Sequence, residues 1–550
     1  MNVYDYLVQA IEAQGVDHVF GGCGQVNGSF MIALERSPKI KTIITKNEQA
    51  ASFMACGYSM FSGKLGVCFA TGGPGAFNIM SGLAVALTDS LPVLAVTGYE
   101  AEDLAGKGAL AETTGRNRTP DSQAMFAATT KKTYLISNPD QTCDVIEDAL
   151  NTAFEGRPGP VHIHVPIDLT TAEIPHPRDI AVQVAPVRPR PEKIDAYAKV
   201  LAEAIAADRR MMLLIGYGAV RSGAGPELTE LAERYQIPFA TTMDAKGFLP
   251  ENHPLSLGVY GTVGDDAAVD QFGEAEFVIA VGNSFAHNAT YRFKDDLFDD
   301  KQLLHINIDQ AELNKVYEAT YSLLGDAKPA LRGLLDALGE TTGTNREAKV
   351  KAGKWHDTPI EYSGDRIHPG ELVKCLSDNL PPESFILSDA GEHMLWLSCY
   401  LKLSEGQLFQ NPGSFGPMAS HVNGAIGLKC AHPDRTVISA CGDGGYLLSG
   451  FELMTAVQYE IPVVWVIFNN GEFNSIKYFL NNLFGRAPFV EFQTPDFAAY
   501  ARACGATGYR VERLSDFEQA FRAALELRRP VVIDAHVERD VYAPYRMAHY

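Results

Sequence analysis

Two apolar runs that each end in small, oxygen-bearing residues constrain this chain more than anything else in it. Residues 436–441 lead straight into Gly442, Asp443, Gly444 and Gly445, and residues 462–468 lead into Asn469 and Asn470. Both runs are apolar on successive rather than alternate residues, which marks strands buried on two faces, the condition of a parallel sheet covered by helices. Residues 447–459, after the first run, have helical spacing and are expected to form one helix. Two strand ends therefore bring oxygens to one sheet edge, where open α/β sheets bind their ligands. A hard cation carrying a diphosphate needs oxygen ligands and a backbone that can come close, so Asp443, the Asn470 amide and the neighbouring glycines predict a magnesium–diphosphate site.

The rest of the chain repeats the alternation of buried strand and helix. Residues 65–70, 93–97 and 161–165 read as strands of a first unit, 211–216, 237–242, 277–282 and 303–308 of a second, and 385–388, 437–441, 463–468 and 531–536 of a third. Residues 173–191 hold Pro175, Pro177, Pro186, Pro189 and Pro191, which remove backbone donors and favour an extended linker, and residues 338–359 form a second, polar one. The expected fold is α/β, with three doubly wound parallel-sheet domains over residues 1–173, 192–338 and 360–550. The first and third share a broad architecture.

Composition excludes several classes of function. The 550 residues carry a net charge of -21, so nucleic acid and anionic membranes, which need basic patches, are not expected partners. Nine cysteines lie scattered without Cys-x-x-Cys spacing, as suits a reducing cytoplasm rather than a disulfide scaffold. The N-terminal residues Val3, Tyr6, Leu7, Ala10 and Ile11 form one face of an amphipathic helix and not a signal peptide, and no apolar run is long enough to span a bilayer, so a soluble protein is expected.

The Gly-Asp-Gly and Asn-Asn pieces, at this separation, resemble the signature of thiamine diphosphate (ThDP) enzymes. By that resemblance Asp443, Asn470 and the Glu472 carbonyl are magnesium ligands, and Gly444 and Gly445 face the phosphates. A second element is similar to the family's strand, acid and helix: residues 43–58, with Glu48 at the strand exit, where the carboxyl would hydrogen-bond the aminopyrimidine ring. A third is residues 415–420, in which Met418 resembles the wedge that keeps the cofactor bent, with the Gly416 carbonyl and Met418 N–H on the pyrimidine. Residues 71–75, 241–247, 305–309 and 388–393 also look like counterparts from acetolactate-synthase-like members, and His393 is a phosphate contact by this reading. The resemblance implies pyrimidine-binding, central and diphosphate-binding domains in a homodimer or homotetramer, with Glu48 of one subunit serving a cofactor held by another.

It further implies ThDP- and Mg²⁺-dependent decarboxylation of a pyruvate-like 2-oxo acid. Two departures bear on the fate of the acyl-anion unit. Ile476 stands where decarboxylases carry a protonating Glu, and residues 119–123 lack their paired histidines, while Gln123 resembles the Gln of the synthases. Both favour transfer to a carbonyl acceptor, hence a carboligase; the alternatives are a non-oxidative decarboxylase, an acyl-CoA lyase of the oxalyl-CoA or hydroxyacyl-CoA type and a flavin-linked pyruvate oxidase. Lys107, Arg116 and Arg118 form a basic cluster that either reads a substrate carboxylate or is a solvated loop. Cys23 replaces a usual Pro, and His421 is either a proton shuttle or a polar contact. FAD is carried by many relatives; Arg157 matches a flavin-contacting position, but residues 282–288 lack the usual Arg and Asp. Glu392 stands where a Gln is common and would repel the diphosphate unless turned away.

Overall fold

Three six-stranded sheets, every neighbouring pair parallel, organise the computed structural model, which describes residues 1–339, 348 and 350–546. Part of the second expected linker, residues 340–347 and 349, lies outside the described residues. The first sheet contains β1 (His18–Gly21), β2 (Lys41–Ile44), β3 (Gly66–Ala70), β4 (Val93–Tyr99), β5 (Lys132–Leu135) and β6 (Val161–Pro166). The second contains β7 (Met211–Ile215), β8 (Phe239–Thr241), β9 (Ser256–Val259), β10 (Phe277–Val281), β11 (Gln302–Asn307) and β12 (Tyr321–Leu324). The third contains β13 (Ser384–Ser388), β14 (Leu408–Gln410), β15 (Thr436–Gly442), β16 (Val464–Asn469), β17 (Thr507–Val511) and β18 (Val531–His536).

The first and third sheets have the same strand order, β2-β1-β3-β4-β6-β5 and β14-β13-β15-β16-β18-β17, whereas the second runs β12-β11-β10-β7-β8-β9. Largely apolar runs account for the interior strands β3, β4, β7, β10, β13 and β16, which are buried along their whole length, and β6 is equally buried although it carries His162 and His164.

One helix follows the second strand in each of the two like-ordered units, and these two helices pack on each other. Asn47 caps Glu48–Ser59 by accepting from Gln49 N–H, and the helix is buried from Ala50 to Ser59. Ser420–Ala431 is buried from Ser420 to Cys430. A Cβ on Gly57 would lie 1.9 Å from the Gly424 carbonyl oxygen, and one on Gly427 would lie 1.8 Å from that of Met54. Helices buried on all sides belong between two layers, and small residues let these backbones touch. Glu452 ties the same units further, accepting from the Lys46 and Asn47 amides at 2.9 Å each.

The helix expected over residues 447–459 is broken. Asp443–Ser449 and Leu453–Gln458 are separate helices joined by a 3₁₀ turn at Gly450–Glu452. Glu452 leaves helical register there and spends its carboxylate on the first unit, with Thr455 as its third donor. Among the described residues, no helix is long and apolar enough to cross a membrane.

Candidate functional site

Asp443 follows β15 and Asn470 follows β16, adjacent strands whose registered ends place both residues at one edge. The Asp443 carboxylate accepts from the amides of Gly444 (2.8 Å), Asn470 (3.1 Å) and Gly471 (2.6 Å), and Asn470 Oδ1 accepts from Glu472 N–H at 3.0 Å. Burial pushes the Asp443 carboxyl up to about 6. A carboxylate desolvated in this way, with amide dipoles and, among the described residues, no ion-pair partner, suits a bound positive charge. No three His, Cys, Asp or Glu side chains converge on a metal position among the described residues. A ligand set of one carboxylate, one amide and one main-chain oxygen is that of a hard cation which keeps other ligands from phosphate or water.

The crevice beside Asp443 has a volume of about 310 Å³ and is lined by Gly391, Glu392, His393, Gly416, Met418, Gly442 to Gly445, Asn470, Glu472 and Ile476, among others. Its shape depends on missing side chains: a Cβ on Gly445 would meet Asp389 Oδ2 at 2.5 Å, and one on Gly444 would meet the Phe473 ring at 2.6 Å. His393 Nε2 is buried without a hydrogen-bond partner, and burial pulls the ring down to about 4, so a neutral imidazole lines the crevice. An orphaned ring nitrogen, a cation-seeking carboxylate and a glycine cradle together fit a magnesium-bound diphosphate.

Asp389, just after β13, braces the opposite wall. It is wholly buried and accepts from Ala419 N–H (2.7 Å) and His421 N–H (3.2 Å), which fixes the turn after Met418. Ala419 is held at φ +71 and Gly416 at φ +55, and the first is a conformation that a non-glycine residue keeps only under such restraint. His421, pulled down to about 3 by burial, is a neutral core group. Glu392 lines the crevice with its carboxylate tied to the segment that follows β18: it accepts from Ala543 N–H at 2.8 Å and the Tyr545 hydroxyl at 2.6 Å. Arg539, which belongs to no motif, donates to the Asn470 carbonyl at 2.7 Å and lies 3.6 Å from the Glu472 carboxylate.

Glu48 occupies the matching edge of the first sheet. Its Oε2 accepts from Asn78 Nδ2 at 3.0 Å, and Cβ atoms on Gly22 and Gly75 would crowd its side chain at 2.9 and 3.0 Å. No residue of the first unit lines the Asp443 crevice, so within one chain Glu48 stands apart from it. Gln123 Nε2 donates to the Tyr99 hydroxyl at 3.4 Å, and the residue packed on the glycine turn is Ala111, whose Cβ lies 2.7 Å from a Cβ built on Gly73. Cys23 is exposed.

A second cavity of about 740 Å³ opens where the three units meet, at the point between β7 and β10 where the central strand order reverses. Arg157 is fully engaged there, donating to Ser90 (2.7 Å), Glu312 (3.1 Å) and the Thr88 carbonyl (2.9 Å). The turn after β7 uses its own donors, Gly216 N–H on Val281 and Gly218 N–H on Gly282. Asp89, Asp244, Glu312 and Asp326 also line the cavity. Lys315 and Arg221, whose Nε is buried without a hydrogen-bond partner among the described residues, line it as well.

Three family models match the chain: thiamine pyrophosphate enzyme, N-terminal TPP binding domain, over residues 1–121; the central domain, over 198–334; and the C-terminal TPP binding domain, over 389–535. Thiamine pyrophosphate is another name for ThDP. A probable acetolactate synthase large subunit of Methanocaldococcus jannaschii is 33% identical over 549 residues, covering 97% of this chain and 91% of the relative. The acetolactate synthase isozyme 2 large subunit of Escherichia coli K12 is 29% identical over 546 residues, covering 98% and 96%. The acetolactate synthase large subunit of Corynebacterium glutamicum is 29% identical over 97% of this chain and 86% of its own length.

Proposed function

Since this chain belongs to the thiamine pyrophosphate enzyme family, we propose that it is a ThDP- and Mg²⁺-dependent carboligase, a transferase or lyase that decarboxylates a pyruvate-like 2-oxo acid and passes the acyl-anion unit to a carbonyl acceptor. The observation that carries the reading is the Asp443 crevice: a buried, cation-seeking carboxylate and an orphaned His393 on a glycine cradle, in a chain whose full-length relatives are named acetolactate synthases. ThDP, when bound, supplies the acyl-anion equivalent and the electron sink.

Asp443, Asn470 and the Glu472 carbonyl hold Mg²⁺. His393, Gly444 and Gly445 would contact the diphosphate, and Gly416 and Met418 would orient the ring end. Glu48 would hydrogen-bond the aminopyrimidine of bound ThDP. Glu48 stands outside the crevice of its own chain, so the working unit is a homodimer or a multiple of it, in which a second copy supplies the acid. Gln123 faces the acceptor, and the exposed apolar Ile476 offers no proton that would release an aldehyde.

Glu48→Gln tests the assignment. The variant is expected to fold and to bind ThDP with Mg²⁺ within about tenfold of the parent, while ligation of pyruvate-derived units falls by two to four orders of magnitude, roughly the worth of a positioned acid. Ligation at the parental rate would remove Glu48 from the mechanism.

A further inference from the structure

The segment between β4 and the Ser122–Thr129 helix leaves the same strand-end edge as Glu48. It touches that site through one short relay: Ala111 packs against Gly73 of the glycine turn, and Gly75 of the same turn packs against Glu48. Glu112, 5% exposed, holds the segment from inside, accepting from the amides of Gly108 (2.8 Å) and Ala109 (3.1 Å) and from Gly106 and Thr114. Its outer part is a tight hairpin in which Thr114 bridges Asp121, Gly115 N–H donates to Pro120 (2.9 Å), and the Thr119 hydroxyl donates to the Arg116 carbonyl (2.7 Å). Arg116 and Arg118 stand on the arm that this turn fixes, and the Arg116 stem lies 3.3 Å from a Cβ built on Gly106, next to Lys107.

These three cations are exposed, and among the described residues none forms an ion pair. The carboxylates nearest in sequence are otherwise occupied: Glu112 by loop amides, Asp121 by the Ala124 N–H at 3.0 Å, and Glu100 by burial, which favours its neutral form. Glu102 and Asp103 precede the hairpin at the start of the segment. Arg116 also stands near enough to Tyr99, the partner of Gln123, for its charge to act on that hydroxyl.

We propose that this hairpin reads an anionic group (carboxylate, sulfonate or phosphate) that the acceptor carries at the end remote from its reacting carbonyl. The inference rests on the carboligase reading and narrows its substrate. The donor's own carboxylate leaves as neutral carbon dioxide, so a cation gripping it would stabilise the ground state more than the transition state and slow the step. Guanidinium groups serve better on a charge that persists into the product, where paired N–H donors match two oxygens.

The holoenzyme is given pyruvate as donor and either succinic semialdehyde or butanal, acceptors of equal chain length that differ by the carboxylate. Expected is a kcat/KM at least about tenfold higher for succinic semialdehyde, carried mainly by KM. In Arg116→Ala/Arg118→Ala that ratio should collapse towards one, and Arg116→Lys/Arg118→Lys should restore part of it. Equal rates for the two acceptors in the parent, or a preference that survives the double substitution, overturns the proposal. Absence of any carbon–carbon bond formation, joining of two pyruvate-derived units included, sinks the carboligase reading instead. Calorimetric titration with succinate against butyrate then judges the hairpin alone, for which binding that does not weaken in the double alanine variant is equally fatal.

Discussion

The first and third sheets share strand order and place a buried helix after the second strand, yet their edges present acids in different ways. Glu48 opens a helix and has one amide partner, Asn78, with glycines on either side. Asp443 also opens a helix, directly after β15, but receives three backbone amides. A carboxylate with several fixed donors is held as an acceptor and suits a cation. One with a single side-chain partner keeps capacity for a proton shared with a ligand. The same topology thus serves two purposes according to which loop carries the acid, and each edge holds only half of what the proposed chemistry needs.

The division can be broken by mixing subunits. Asp443→Ala should abolish Mg²⁺-dependent ThDP uptake, and Glu48→Gln should spare uptake but lose ligation, each by about two to four orders of magnitude in activity. If the two edges meet across a twofold interface, co-refolding equal amounts of the variants regenerates about a quarter of the parental sites, because half the dimers are mixed and each holds one intact pair. Ligation assays on the mixture that stay at the level of the separate variants would place Glu48 and Asp443 in the same chain's site.

The contact that joins the two units makes a smaller and sharper claim. Ala normally stabilises a helix over Gly by about 0.5–1 kcal/mol. At Gly427 and Gly57 the added methyl would meet a backbone oxygen at 1.8 and 1.9 Å, whereas at Gly424 the nearest atom stands at 3.5 Å. Gly427→Ala and Gly57→Ala should therefore lower stability by about 3 kcal/mol, and Gly424→Ala should leave it unchanged or raise it slightly. Thermal melts of the three proteins check the ordering, and uniform gains would show that the helices do not touch.

What could be read without coordinates follows the same physics. Interior strands such as β7, β10 and β16 are continuous apolar runs and announce themselves. The strands β5, β9, β12, β14 and β17 lie at sheet edges and are short or only partly buried, so neither period nor composition marks them. Asp443, Asn470, Gly416, Met418 and His393 were legible because short motifs carry them, and they line one crevice. Asp389 was visible only as an acid after a strand, while Arg539 acts on Asn470 from 69 residues away. Nothing local in the sequence encodes a bond of that range, nor the break at Gly450, which depends on Glu452 reaching the other unit.

Asp89 extends the comparison to pH. It ends a helix of the first unit and faces Gly413 N–H of the third at 3.5 Å, and burial with Asp244 nearby pushes its carboxyl up to about 7. A folded-state value above the unfolded one means that the protonated form suits the fold: its contribution is complete below about pH 4 and is lost as pH rises through about 7. Asp89→Asn keeps an acceptor for Gly413 without the charge. It should stabilise the protein by about 1–3 kcal/mol at pH 8 and by almost nothing at pH 4, a difference read from melts at the two values.

The smallest effect concerns the tail. Segment 537–546 crosses the third edge only: Tyr545 stacks on Tyr478 at 4.5 Å, donates to Glu392, and is followed by Arg546, which donates to the Gly264 carbonyl of the central unit. Tyr545→Phe retains the stack and removes the hydroxyl, leaving a buried Glu392 oxygen short of a donor and free to turn towards the crevice. The expected cost is about 1–2 kcal/mol in ThDP affinity, read by calorimetric titration with Mg²⁺ present. In a Glu392→Gln background the same substitution should cost much less, since a neutral amide does not repel the diphosphate. Equal losses in the two backgrounds would mean that Tyr545 acts on the fold of the tail and not through the carboxylate.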